Sequence, residues 1–193
     1  EIMNTYFTPI IQNFPQVSSM GLANTSGFEF DVIPNKNHWD HRIVWIDQWK
    51  DKEAWSSWQL DSSTNQWQQI DQWDDVVSHD PRIRPWFSGA MNKSYFEINW
   101  TEPYVYNTTF ELGMTASVKW NRPGDSLTYI MAFDLTLSDI SEFTQEMKVS
   151  ENGKVFFLSD SDSYIGLPSD DLIQDNNFKP YLLKQPDSID IPE

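Results

Sequence analysis

Residues 126–143, SLTYIMAFDLTLSDISEF, contain the change of period on which the fold turns. The first part, SLTYIMAFDLTL, is rich in β-branched, aromatic and apolar residues and reads as a strand. From Ser138 onward SDISEFTQEMKV reads as a helix. Asp139 and Glu142 resemble a capping box there, and Ile140, Phe143 and Met147 fall on one face. Just upstream, FELGMTASVKW (110–120) is a second strand. The intervening NRPGD supplies a Pro-Gly suited to a hairpin turn.

Working outward, GFEFDVI (27–33), HRIVWIDQW (41–49), AWSSWQLD (54–61) and QWQQIDQW (66–73) are short and aromatic, with Asn, Asp, Ser and Pro clusters between them. They read as strands of an antiparallel sheet, as does FEINWTEPYVYN (96–107). At the start of the chain, Ile2, Tyr6, Ile10 and Phe14 recur every four residues, as on a helix with one buried face, although Pro9 argues against an undisturbed one. After the linker helix, GKVFFLSD and SYIGLP form a hairpin around SDSDS. A short helix and an acidic, Pro-containing tail are expected in residues 169–193. No repeat of fixed period is present. The class is α+β. The expected division is an N-terminal helix over 1–20, a main module over 21–138, a linker helix over 139–150, and a partial or reduced second module over 151–193.

Composition narrows the function. The chain has 193 residues, 39% of them hydrophobic and 15% aromatic, which is enough for a packed core. A formal net charge of -16 repels phosphate backbones, so nucleic acid is excluded as a partner and anionic membrane surfaces are disfavoured. With no cysteine, disulfides, thiol nucleophiles and zinc-thiolate sites are ruled out. There is no apolar run of the roughly 18 residues that a membrane span needs. The chain starts at Glu1 rather than Met and reads as an excised piece of a longer protein.

Chemistry-bearing motifs are few. His38, His41 and His79 lack metal-ligand spacing, and there is no serine elbow, phosphate loop or zinc motif. No catalytic residue, metal or cofactor is therefore assigned. Carboxylate pairs carry no specificity among 29 acids. Trp39, Trp45, Trp49, Trp55, Trp58, Trp67 and Trp73 crowd one region, and an exposed coplanar row of them would suit a carbohydrate-binding module. DPRIRPWF (80–87) stands apart. Asp80-Pro81 opens a turn, and Pro85 holds Arg84 extended, so Arg84 and Trp86 project in fixed directions. A guanidinium beside an indole N–H suits a carboxylate ligand, or Arg84 serves the fold by pairing with a local acid.

DPRIRPWF, followed by WTEPY, LGMTAS and YIMAFDLTLSDISEF, resembles the distal module of a double Cache (dCache) sensor domain, and GKVFFLSDSDSYIGLP resembles the start of its membrane-proximal module. The resemblance is loose over residues 1–170 and close over 80–170. It implies a PAS-like antiparallel sheet in an extracytoplasmic, periplasmic sensor, membrane-anchored in the full-length protein. The output would be that of a chemoreceptor, histidine kinase or nucleotide cyclase, without catalysis in this piece. It also implies a small amine, amino acid or carboxylate as ligand, and leaves a homodimer open. By resemblance, Arg84 and Trp86 hold the ligand carboxylate, while Tyr104 and Asp134 hold its ammonium. Phe87 stands where amino-acid binders carry tyrosine, and His79 falls near another expected tyrosine. The rival expectations are the carbohydrate-binding module and an interaction domain without ligand, in which Arg84 and Asp134 pair with each other.

Overall fold

Alternation along the strands gives the central sheet two unlike faces. The computed structural model describes residues 2–77, 79–147, 149–150, 153–167 and 182–188. Helix α1 (Ile2–Asn13) is followed by β1 (Ser19–Asn24), β2 (Phe28–Pro34), β3 (Trp39–Trp45) and a helical turn, α2 (Ile46–Trp49). Then come β4 (Lys52–Asp61), β5 (Gln66–Val76), α3 (Pro85–Asn92), β6 (Ile98–Trp100) and β7 (Tyr104–Val105). The chain continues through β8 (Leu112–Asn121), β9 (Thr128–Thr136), α4 (Leu137–Glu146), β10 (Phe157–Leu158) and β11 (Tyr164–Gly166). Contacts divide it into two units, Glu1–Thr101 with Thr115–Asp134, and Glu102–Met114 with Leu135–Glu193. The α+β class and the large antiparallel sheet expected from the sequence are both present.

In the first unit the strand order is β5-β4-β3-β2-β1-β9-β8-β6. Pairing in register places Met20 beside Val32 and Phe133, and Leu22 beside Phe30 and Met131, all on one face. Phe7 and Ile11 of α1 cover that face, with Met20, Phe30 and Val32 as the buried centre. The intervening residues point the other way. Ser19 and Gly21 lie beside Asp134 and Ala132 from β9, Gly21 beside Asp31 of β2, and Asp31 beside Arg42 of β3. One face is thus apolar and the other charged.

The helix α1 corrects the four-residue stripe. Ile2 and Tyr6 are 73% and 65% exposed, and Phe14 is also exposed, whereas Asn4, Phe7, Thr8 and Ile11 are buried. Residues four apart turn about 400°, so a strict four-residue repeat drifts around the helix, while spacings of three and four alternate along one face. Pro9 lies inside an unbroken helix. The burial of Phe7 and Ile11 outweighs the single missing donor. A further contact ties α1 to the sheet, since His41 Nε2 lies 2.5 Å from Asn4 Oδ1 while the ring stacks on Trp58. Another adjustment is that HRIVWIDQW does not stay extended: β3 ends at Trp45 and Ile46–Trp49 turns helical.

The Pro-Gly turn forms as expected, with Gly124 at φ 78° and the Asp125 N–H donating to the Arg122 carbonyl. In the second unit α4 starts earlier than expected. Thr136 is its cap and accepts from the Asp139 N–H at 3.0 Å, so the box runs from Thr136 to Asp139 rather than from Asp139 to Glu142. Leu137 and Ile140 form the core there with Ile165, while Phe143 and Met147 are 40% and 38% exposed. The expected hairpin forms as β10 and β11. Tyr106 braces this unit, its hydroxyl lying 2.6 Å from the Met114 carbonyl and accepting from the Leu135 N–H at 3.0 Å. The expected helix near residue 170 lies outside the described residues. Among the described residues no helix is long and apolar enough to cross a membrane.

Candidate functional site

Two prolines shape the arm that carries Arg84. Pro81–Ile83 is a 3₁₀ turn capped by Asp80, whose side chain accepts from the Arg82 N–H at 2.9 Å. Arg84 then sits extended at φ -74°, ψ 148°, before Pro85 opens α3. Arg82 is fastened to the scaffold by Asp80 at 2.7 Å and Asp47 at 3.0 Å. Trp86 and Phe87 form the buried side of α3, edge to face at 5.6 Å, and the Trp86 carbonyl accepts from Ser117 at 2.9 Å. Gly89 permits this close seat, because a Cβ there would lie 2.5–2.7 Å from the Asn99 amide.

Asp134 ends the first unit's share of β9 on the charged face. It accepts from Ser19 at 2.7 Å and from Thr115 at 2.6 Å. Burial pushes its carboxyl up to about 6, against the two hydroxyl hydrogen bonds; the charge of Glu29 adds to the rise, and that of Arg84 opposes it. Arg84 and Asp134 therefore act on each other electrostatically within one unit.

The strand face beside them holds a charge cluster that the motif did not reveal. Arg42 is fully buried. It donates to Glu29 at 2.7 Å, to Asp31 at 3.1 Å and to Glu53 at 2.9 and 3.0 Å. Burial alone would lower its pKa, but the charges of Glu29 and Asp31 reverse that and raise it. For Glu29 burial acts upward, yet the hydrogen bond from His79 and the charge of Arg42 hold it below the ordinary range. Asp31 goes the other way. Burial and the charge of Glu29 push it well above the usual carboxylate value, and Asp134 adds to the rise.

His79, expected at the ligand, is engaged in this cluster. Its Nε2 lies 3.2 Å from Glu29 and its Nδ1 3.2 Å from Arg42. A guanidinium can only donate, so Nδ1 accepts and Nε2–H donates to Glu29. Tyr104 belongs to the second unit, where it pairs with Gly113 and packs edge to face on Tyr106 at 5.2 Å. The first unit contains Arg84, Trp86, Phe87, Asp134 and His79; within it the fold gathers Glu29, Asp31, Arg42, Glu53 and His79 into one cluster and sets Ser19 and Thr115 on Asp134. The available signal was the alternation in GFEFDVI, where Glu29 and Asp31 interrupt an apolar strand at every second position.

The tryptophans do not make an exposed coplanar row. Trp55 and Trp73 stack on each other at 5.8 Å, Trp58 stacks on His41, and Trp45 packs on Phe28. Of the seven between Trp39 and Trp73, only Trp73 is exposed, at 38%.

No family model matches the chain. It is 30% identical over 87 residues to the methyl-accepting chemotaxis protein McpB of Bacillus subtilis, a match covering 45% of this chain and 12% of that protein. Among solved structures it is similar to the ligand-binding domain of the Pseudomonas fluorescens chemoreceptor CtaA, determined with L-isoleucine. That similarity has a TM-score of 0.50 at 16% identity and covers 100% of this chain and 56% of the other. The Pseudomonas aeruginosa amino acid chemoreceptor PctB, determined with L-Gln, aligns at a TM-score of 0.47 and 18% identity, over 92% of this chain and 52% of that one. The chain therefore spans about half the length of these solved domains and about an eighth of McpB. The chain shares the fold of the aligned part of the CtaA ligand-binding domain, a PAS-like antiparallel sheet with helices.

Proposed function

We propose that this chain is the extracytoplasmic, periplasmic ligand-sensing region of a bacterial membrane-anchored signal transducer. It binds a small amine, amino acid or carboxylate on the charged face of its first unit. The supporting observation is that Arg84, on an arm stiffened by two prolines, acts electrostatically on Asp134, a strand-end carboxylate held by Ser19 and Thr115. A zwitterion needs a fixed cation at one end and a fixed anion at the other, because neither of its charges can be buried unpaired. The fold likeness to CtaA and the partial identity to McpB, a methyl-accepting chemotaxis protein, support the same reading. Ligand binding rather than catalysis is the role, and coupling to an output module follows from any difference in affinity between two states of the region.

Trp86 and Phe87 follow Arg84 directly and anchor its arm by their burial, and His79 bridges Glu29 and Arg42. The test is a thermal-shift panel of amino acids, amines, organic acids and sugars on wild type and Arg84→Ala. Stabilisation of wild type by an amine or amino acid, lost in a folded Arg84→Ala variant, is the expected outcome. An Arg84→Ala variant that cannot fold, or a wild type indifferent to every compound, favours the interaction domain in which Arg84 and Asp134 only pair with each other.

A further inference from the structure

Gly21 occupies the middle of β1, in neither a turn nor a left-handed conformation. Glycine in a strand interior is unfavourable unless something needs the space. Here the space is taken by Asp31, since a Cβ on Gly21 would lie 2.6 Å from Asp31 Oδ1. Asp31 faces Gly21 from β2, and Asp134 faces Ser19 from β9, so the two carboxylates reach the same face from opposite sides of β1.

One guanidinium is shared among several carboxylates on that face. Arg42 serves Glu29, Asp31 and Glu53 at once, and its contact with Asp31, at 3.1 Å, is longer than those with the other two. Among the described residues, the ion pairs of Glu29, Asp31 and Glu53 converge on the one guanidinium of Arg42, while Asp134 feels the field of Arg84, so carboxylates crowd this face.

We infer that Asp31 is the second carboxylate of the ligand site, cradled by Gly21 beside Asp134, and that the preferred ligand is a net cation whose protonated nitrogen bridges the two. This rests on the proposal that the charged face binds the ligand. It goes further by naming a residue outside the recognised motif and by selecting amines over carboxylates and neutral zwitterions. The nitrogen donates to Asp31 Oδ1 and to Asp134, while Asp31 Oδ2 goes on accepting from Arg42. Such charge-assisted bonds discriminate strongly in a half-buried setting.

The probes are propylamine, L-lysine, L-alanine and propionate, measured by calorimetry and thermal shift on wild type, Asp31→Asn, Gly21→Ala and Asp134→Asn. The expected result is that the two cations bind wild type more tightly than alanine, that propionate does not bind, and that Asp31→Asn weakens the cations by about tenfold or more. Gly21→Ala, which displaces the Asp31 carboxylate, reproduces that loss and serves if Asp31→Asn does not fold. If Asp134→Asn loses the cations while Asp31→Asn and Gly21→Ala keep wild-type affinity, Asp31 is merely a partner of Arg42. The inference then falls while the proposed function stands. Preference for propionate over the amines overturns the inference in the same way, and a wild type that binds none of the four overturns both.

Discussion

Replacing Asp134 with asparagine is expected to stabilise the ligand-free protein at neutral pH. The carboxyl is raised from its ordinary 3.8 to about 6, chiefly by burial. Between those values the folded state holds a proton that the unfolded state has released, so stability falls as pH rises through that window, and the whole penalty is present above it. The rise corresponds to about 3 kcal/mol. Asparagine removes the charge but keeps its shape. Its oxygen still accepts from one of Ser19 or Thr115, and its amide donates to the other hydroxyl, at a loss of about 1 kcal/mol. The net gain is about 2 kcal/mol, or about 4–8 °C in Tm for a chain of this size. Urea unfolding of both proteins from pH 4 to pH 8 should show curves that converge near pH 4 and separate as the pH rises. An asparagine variant no more stable than wild type at pH 7.5, or equally favoured at pH 4 and pH 7.5, would refute the idea that Asp134 carries an uncompensated charge.

Other perturbations separate the two faces of the sheet and test the second unit. Arg42→Met strands Glu29, Asp31 and Glu53 and should cost about 3–5 kcal/mol by urea unfolding at pH 7. Phe7→Ala should cost about 3–5 kcal/mol, while Tyr6→Ala, on the exposed side of the same helix, stays within about 0.5 kcal/mol. Equal effects of the last two would contradict the helix orientation. Gly113→Ala pushes a methyl into the Tyr106 hydroxyl and should cost about 1–3 kcal/mol, read as a lowered Tm.

Local chemistry was legible where a short stretch decides its own conformation. The Pro123-Gly124 turn, the extended Arg84 before Pro85 and the Asp80 cap on the following turn all follow from two or three adjacent residues. The start of α4 was displaced because two overlapping boxes compete. Thr136 wins since the helix begins as soon as Leu137 can bury. The side of α1 that meets the sheet was not legible, because Ile2, Tyr6 and Phe14 are as apolar as Phe7 and Ile11 and only the sheet selects between them. The charged cluster was hidden for a related reason. Glu29, Asp31, Arg42 and Glu53 lie on three strands, and their meeting depends on register across β2, β3 and β4 rather than on any one stretch. His79 shows the same dependence, since proximity to Arg84 in sequence says nothing about Glu29.

The outermost position of β5 has a consequence for how the protein behaves in concentrated solution. Among the described residues this eleven-residue strand ends the sheet, bordered on one side only by β4. An open edge of that length is a template for another chain. Asp71, Asp74 and Asp75 along it, and the irregular register opposite between Ser57 and Trp58, act as gatekeepers against edge-to-edge growth. Variants that neutralise these aspartates to improve crystallisation would invite fibrous association, whereas lysine at the same positions would keep the edge guarded.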